Sequence, residues 1–159
     1  MFRNSLKSFI VLTAITSGAA FAASTGTLIL QGVVGVYYNL AVSPDGSNNT
    51  SLDILAGESG KSVANVLEQS NDPNGYKISF LSANAGLLKN GVVDQVSYQI
   101  KYGSGGLVSP SATYQTVFTS GSMVSPASQS QNVKVSFAAK PGALAGTYSD
   151  TLTFQIAAP

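Results

Sequence analysis

The feature that most restricts this chain is a period of two. Apolar and polar residues alternate in run after run, and after residue 22 no segment shows a convincing 3.6-residue repeat. Tyr76, Ile78 and Phe80 face one way, with Lys77 and Ser79 the other. Val96, Tyr98, Ile100 and Tyr102 alternate with Ser97, Gln99 and Lys101; Val133, Val135 and Phe137 alternate with Lys134 and Ser136. Leu152, Phe154 and Ile156 alternate with Thr153 and Gln155. Each pattern predicts a strand with one buried and one solvated face. Weaker strands are expected at residues 52–56, 63–69 and 114–118, the second with a bulge because its alternation is imperfect.

Turn chemistry separates these runs: Ser43-Pro44-Asp45-Gly46, Asp72-Pro73-Asn74-Gly75, Lys89-Asn90-Gly91, Gly103-Ser104-Gly105-Gly106 and Pro141-Gly142. About nine short strands in one domain predict an all-β fold, an immunoglobulin-like antiparallel β-sandwich. Tyr148, just ahead of the last strand, is expected either to tie down the preceding loop through its hydroxyl or to sit as an ordinary tyrosine at the edge of the core. Asp150 shares parity with Leu152 and Phe154, so it is expected to face inward and to pair with a backbone N–H or a lysine.

The longest alternation runs from Leu28 to Val42. Ordinary strands span roughly 3–10 residues, so a break near Gly32 or Gly35 is expected, leaving one strand at the extreme N-terminus of the exported chain. Export is read from residues 1–22. Arg3 and Lys7 supply a basic start, an apolar stretch follows, and Ala20-Phe21-Ala22 supplies small residues for cleavage before Ala23. The apolar stretch is too short and interrupted to span a bilayer.

Cleavage leaves six lysines and no arginine against seven carboxylates. That balance speaks against nucleic acid, which needs clustered cations. Chemistry is equally thin. The chain has no Cys and no His, which removes the usual activated nucleophiles, their bases and zinc sites. Ser62 beside Lys61 is read as solvated strand residues, not a dyad. The loop from Asp45 to Asn49 lacks the glycine and bidentate glutamate of a calcium loop, since Thr50 and Ala56 occupy those places. No catalytic residue, cofactor or metal is expected.

The opening segment Thr27-Leu28-Ile29-Leu30-Gln31-Gly32-Val33-Val34, running into residues 36–42 and Ser43-Pro44-Asp45-Gly46-Ser47, resembles the N-terminus of chaperone–usher fimbrial subunits. The nearer likeness is to the cysteine-free major subunits of alpha-type fimbriae. The ending Leu144-Ala145-Gly146-Thr147-Tyr148-Ser149-Asp150-Thr151-Leu152-Thr153-Phe154 is also similar to the closing strand of spore-coat-U-type secreted proteins.

The resemblance implies a domain at residues 36–159 that lacks one strand and is completed by a neighbour's donor strand at residues 23–35. Leu28, Leu30 and Val34 would be inserted, with Gly32 at a constricted point. Leu152, Phe154 and Ile156 would flank the groove. The implied function is structural: a bacterial surface fibre, serving adhesion or biofilm formation. The implied partners are copies of itself or related subunits, a periplasmic chaperone and an outer-membrane usher. The alternative is a self-complete secreted β-sandwich that binds a ligand or contributes to a matrix. The two differ in whether residues 28–34 pair within their own chain.

Overall fold

The computed structural model describes residues 24–91 and 93–159. The expected export signal lies outside the described residues. Among the described residues every regular element is a strand, and every ladder is antiparallel. The ten strands are β1 (Tyr38–Pro44), β2 (Glu58–Ser70), β3 (Lys77–Ser82), β4 (Leu87–Asn90), β5 (Asp94–Ser97), β6 (Gln99–Tyr102), β7 (Leu107–Val108), β8 (Gln115–Thr119), β9 (Ala127–Phe137) and β10 (Leu152–Ala157).

They form a five-stranded sheet in the order β1-β2-β9-β6-β7, a three-stranded sheet in the order β10-β3-β8, and the β4-β5 hairpin. Valines of β2 and β9 and Ile100 of β6 meet Ile78 and Phe80 of β3 in a single core, the packing of two sheets face to face. Ile78, Phe80, Ile100 and Val66 are fully buried.

The clean alternations land on these strands with the expected parity, except that Ser79, expected on the solvated face, is buried against Thr116 of β8; the elements themselves differ at three points. The run from Val96 to Tyr102 is not one strand. Its first half, β5, pairs with β4; its second half, β6, pairs with β9 and β7. The chain leaves one sheet and joins another at Tyr98, and all four inward residues stay buried through the change. Parity reports which face is inward; it carries no word about which neighbour supplies the ladder. Residues 52–56 are also not a strand. Asp53 Oδ1 accepts from the backbone N–H of Leu55 (3.1 Å) and Ala56 (2.9 Å), closing a turn that competes with extension. The bulge expected within residues 63–69 falls slightly earlier, in register shifts against β9 between Glu58 and Lys61 and between Ser62 and Ala64.

β2 follows Gly57, whose φ is +77°. A side chain there would begin 2.5 Å from the Ala139 amide nitrogen, so both conformation and space call for glycine.

Candidate functional site: the groove between the first and last strands

β1 bonds only to β2, and β10 only to β3. Each therefore has one edge with no ladder partner among the described residues. The two strands run side by side in opposite directions. Val42 and Pro44, at the end of β1, share a groove with Leu152, at the start of β10. At the other end, Tyr38 hydrogen-bonds Asp72, and Ala157 pairs with Lys77. The floor between them is apolar, formed by Val63, Val133, Val135 and Leu88; Phe154 lies on the β10 wall.

The groove encloses about 220 Å³, less than the roughly 300–1,000 Å³ of a drug-sized pocket. β1 and β10 come within 8 Å of each other, closer than the roughly 9–10 Å that two ladder spacings need. An extended chain bonded to both edges would have to part them, and the apolar floor positions would then take its alternate side chains.

Leu52, Ala64 and Tyr98 also line the groove, and Asn49 and Asp150 add polar groups. Asp150 faces inward as its parity suggests. Its carboxylate accepts from the Asn84 N–H (2.9 Å), the Thr151 N–H (2.7 Å) and the hydroxyls of Ser82 (2.5 Å) and Tyr98 (2.7 Å). The partners are backbone amides and hydroxyls, with no lysine among them. Burial first, then this carboxylate, drives the Tyr98 phenol far above its ordinary pKa. With its oxygens engaged by these bonds, Asp150 fixes the start of β10.

The sequence-level wall residues divide. Leu152 and Phe154 line the groove. Ile156 lies on the same face, opposite Ile78, one step past the groove. All three are only half-buried, whereas Ile78 and Phe80 on the neighbouring strand are fully buried. The inward face of β10 is thus short of cover. The floor residues Val63, Leu88, Val133 and Val135 are themselves buried; strand parity marks Val133 and Val135 as inward but does not show that they line the groove.

Residues 24–37 form no strand and are exposed. Leu28, Leu30 and Val34 are 80%, 85% and 86% exposed, and Ile29 and Val33 on the opposite parity are as open. The long alternation therefore breaks after Tyr37. Asn71 marks that point: its Oδ1 accepts from the Tyr37 N–H (2.7 Å) and its Nδ2 donates to the Gly35 carbonyl (2.9 Å).

No family model and no curated protein matches this chain.

A second cluster holds the loop ahead of β10. The Asp94 carboxylate takes bonds from Lys140, from the Tyr148 hydroxyl and from the Leu144 N–H (2.9 Å). Lys140, then Tyr148, hold its pKa well below the usual carboxylate range. The Tyr148 hydroxyl also lies 3.1 Å from the Leu144 carbonyl, the loop-tying one of its two expected roles. Gly146 in this loop has φ +147°, and a Cβ there would fall 2.4 Å from the Asn90 amide. Asn90 in turn donates to the Ala145 carbonyl (3.2 Å).

Proposed function

We propose that this chain is a structural subunit of a bacterial surface fibre, joined to its neighbours by donor-strand exchange. The observation that carries the reading is the pairing of an apolar groove, bare along both flanking edges, with an exposed apolar tail that has no ladder of its own among the described residues. A self-complete sandwich would be expected to cover that groove with its own chain.

The magnitudes are consistent with a strand that holds only when it is inserted. Burying Leu28, Leu30 and Val34 at roughly 1.5–3 kcal/mol each contributes about 5–9 kcal/mol gross. Ordering seven backbone residues costs on the order of 7–14 kcal/mol. Side chains alone do not outweigh that cost, so the main-chain ladder along β1 and β10 must supply the rest. An aliphatic plug in solution would not hold, whereas a strand hydrogen-bonded on both sides would. In this reading the subunit leaves the cell through the periplasm and is exposed on the surface. A periplasmic chaperone covers the groove beforehand, an outer-membrane usher receives the subunit, and other copies supply the final strand.

The test uses the chain from Ala23 onward. Leu30→Asp places a carboxylate in an apolar groove, which is strongly disfavoured without a partner. Polymerisation should fail while the subunit's own groove remains open. A synthetic peptide of residues 27–34 should raise the melting temperature of groove-open subunits and cap growth of the wild type. A wild-type chain that stays monomeric, melts cooperatively and ignores the peptide would instead be a self-contained module.

A further inference from the structure

The donor-strand reading uses one face of the tail and leaves the other without a role. In an extended chain successive side chains point to opposite faces. Leu28, Leu30 and Val34 share one face; Ile29, Gln31 and Val33 share the other. Ile29 is 83% exposed and Val33 84%, as open as Leu28 and Leu30. A strand lying on a groove floor buries one face and leaves the second in water. A segment fitted only to a groove therefore has no use for Ile29 and Val33. Apolar residues on both parities are the pattern of a strand covered on both sides.

Two further features say what covers it. No Asp, Glu, Lys or Arg stands between Ala23 and Pro44. When copies of one segment stack in register, each residue lies about 4.7–4.8 Å from its own copy. A charged side chain would then face its like at every step, which is destabilising; this segment meets no such repulsion. Gln31 sits between Ile29 and Val33 on their face, and stacked glutamines form amide ladders along such a sheet. Residues 28–34 carry no ladder among the described residues, so both of their edges are open to a neighbour.

We infer that residues 28–34 are a self-pairing segment whose partner is the same segment of other copies of this chain, stacked strand on strand with both faces packed between sheets. The inference does not depend on the groove. It gives the tail a second destination, one that competes with insertion. A groove takes one tail and is then filled, whereas a stack has no last member. The same residues thus serve either subunit-by-subunit growth or clustering of many subunits through their tails.

The test sets the two faces against each other. A wild-type peptide of residues 27–34 is compared with its Ile29→Lys/Val33→Lys variant. Dried wild-type fibres should diffract at about 4.8 Å and about 10 Å, the strand and sheet spacings, while the lysine variant stays soluble. Fragments of those fibres should seed thioflavin T-positive growth of the chain from Ala23, and the same two substitutions in the chain should abolish it. Both lysines would face away from a groove floor, so the variant peptide should still raise the melting temperature of Leu30→Asp subunits. Loss of fibres and of that melting shift together would overturn the assignment of two separate faces. A wild-type peptide without these reflections, a lysine variant that forms the same fibres, or a chain that ignores the seeds overturns the self-pairing segment. Sedimentation of the chain with phosphatidylcholine vesicles in place of seeded growth also overturns it, and assigns the tail to a membrane surface. Fibres from the wild-type peptide, with no melting shift from either peptide, would leave self-pairing standing and overturn the donor-strand reading.

Discussion

Phe154 of β10 and Tyr102 of β6 meet across the two sheets with ring centroids 6.1 Å apart, yet Tyr102 is buried and Phe154 is not. Phe154 also packs on Phe80, at 5.9 Å. One side of the ring belongs to the core and another to the groove.

That asymmetry predicts unequal mutational costs. Ile100→Ala removes a fully buried side chain and should lower stability by about 2–5 kcal/mol. Phe154→Ala should cost less than the roughly 3–5 kcal/mol of a fully buried phenylalanine, because part of the ring is already wet. When a groove-filling peptide is bound, its cost should rise. Urea denaturation of both variants, with and without the peptide of residues 27–34, measures this. An unchanged Phe154→Ala cost on peptide addition would place the ring outside the acceptor surface.

Glu68 is fully buried, and its partners are neutral. Tyr76 donates from its hydroxyl (2.7 Å), Tyr102 does likewise, and Gln129 donates from Nε2 (3.0 Å). Glu68→Gln would turn one acceptor into a donor facing a donor, and should cost about 1–3 kcal/mol. Burial first, then this carboxylate, pushes the Tyr76 phenol up to about 12. Alkaline ultraviolet titration should therefore show a late-ionising phenol from Tyr76, and that step should move to lower pH in Glu68→Gln.

Asp94 gives an acid-side prediction. Its folded pKa is depressed by Lys140 and Tyr148, so the unfolded chain takes up its proton more readily than the folded one. Its stabilisation is fully present above the unfolded aspartate pKa of about 3.9 and is lost as pH falls below that toward the folded value. Asp94→Asn should melt lower than wild type at neutral pH, and the two melting curves should converge below about pH 4. Parallel pH profiles would show that the cluster does not contribute through this carboxylate.

Gly57→Ala should be strongly destabilising for its size. The left-handed conformation costs a non-glycine residue about 1–2 kcal/mol, and the approach to the Ala139 backbone must also open. Gly32→Ala meets nothing within 4 Å and should leave the isolated subunit's melting temperature unchanged. Differential scanning calorimetry of the pair distinguishes a glycine required by the domain from one in the exposed tail.

Much of this architecture was legible in the residues. Ile78, Phe80, Ile100 and Val133 were marked as inward by alternation alone, because a half-buried strand must repeat every two residues. Asp150 was legible as an inward polar group for the same reason, while Tyr148 was marked by its place just ahead of the last strand, as a loop tie or an ordinary core-edge tyrosine. The sheet change at Tyr98 was not, since it preserves parity. Strands β4 and β7 were too short to establish a period. Glu68 shares parity with Val66 and could have been read as buried, but its tyrosine partners come from β6 and the start of β3, a long-range juxtaposition. The groove combined one visible element, the wall at Leu152 and Phe154, with a floor that only the position of the bare edges reveals.

The neutral setting of Glu68 has a consequence for the waters in which such a chain could persist. Ionic strength weakens attractions between exposed charges far more than those in a dry interior. Among the described residues the ion pairs are Glu58–Lys61 and Asp94–Lys140, and the central carboxylate relies on phenols and an amide. Dilution from brine to fresh water should therefore shift the melting temperature little, leaving the fold nearly indifferent to salinity.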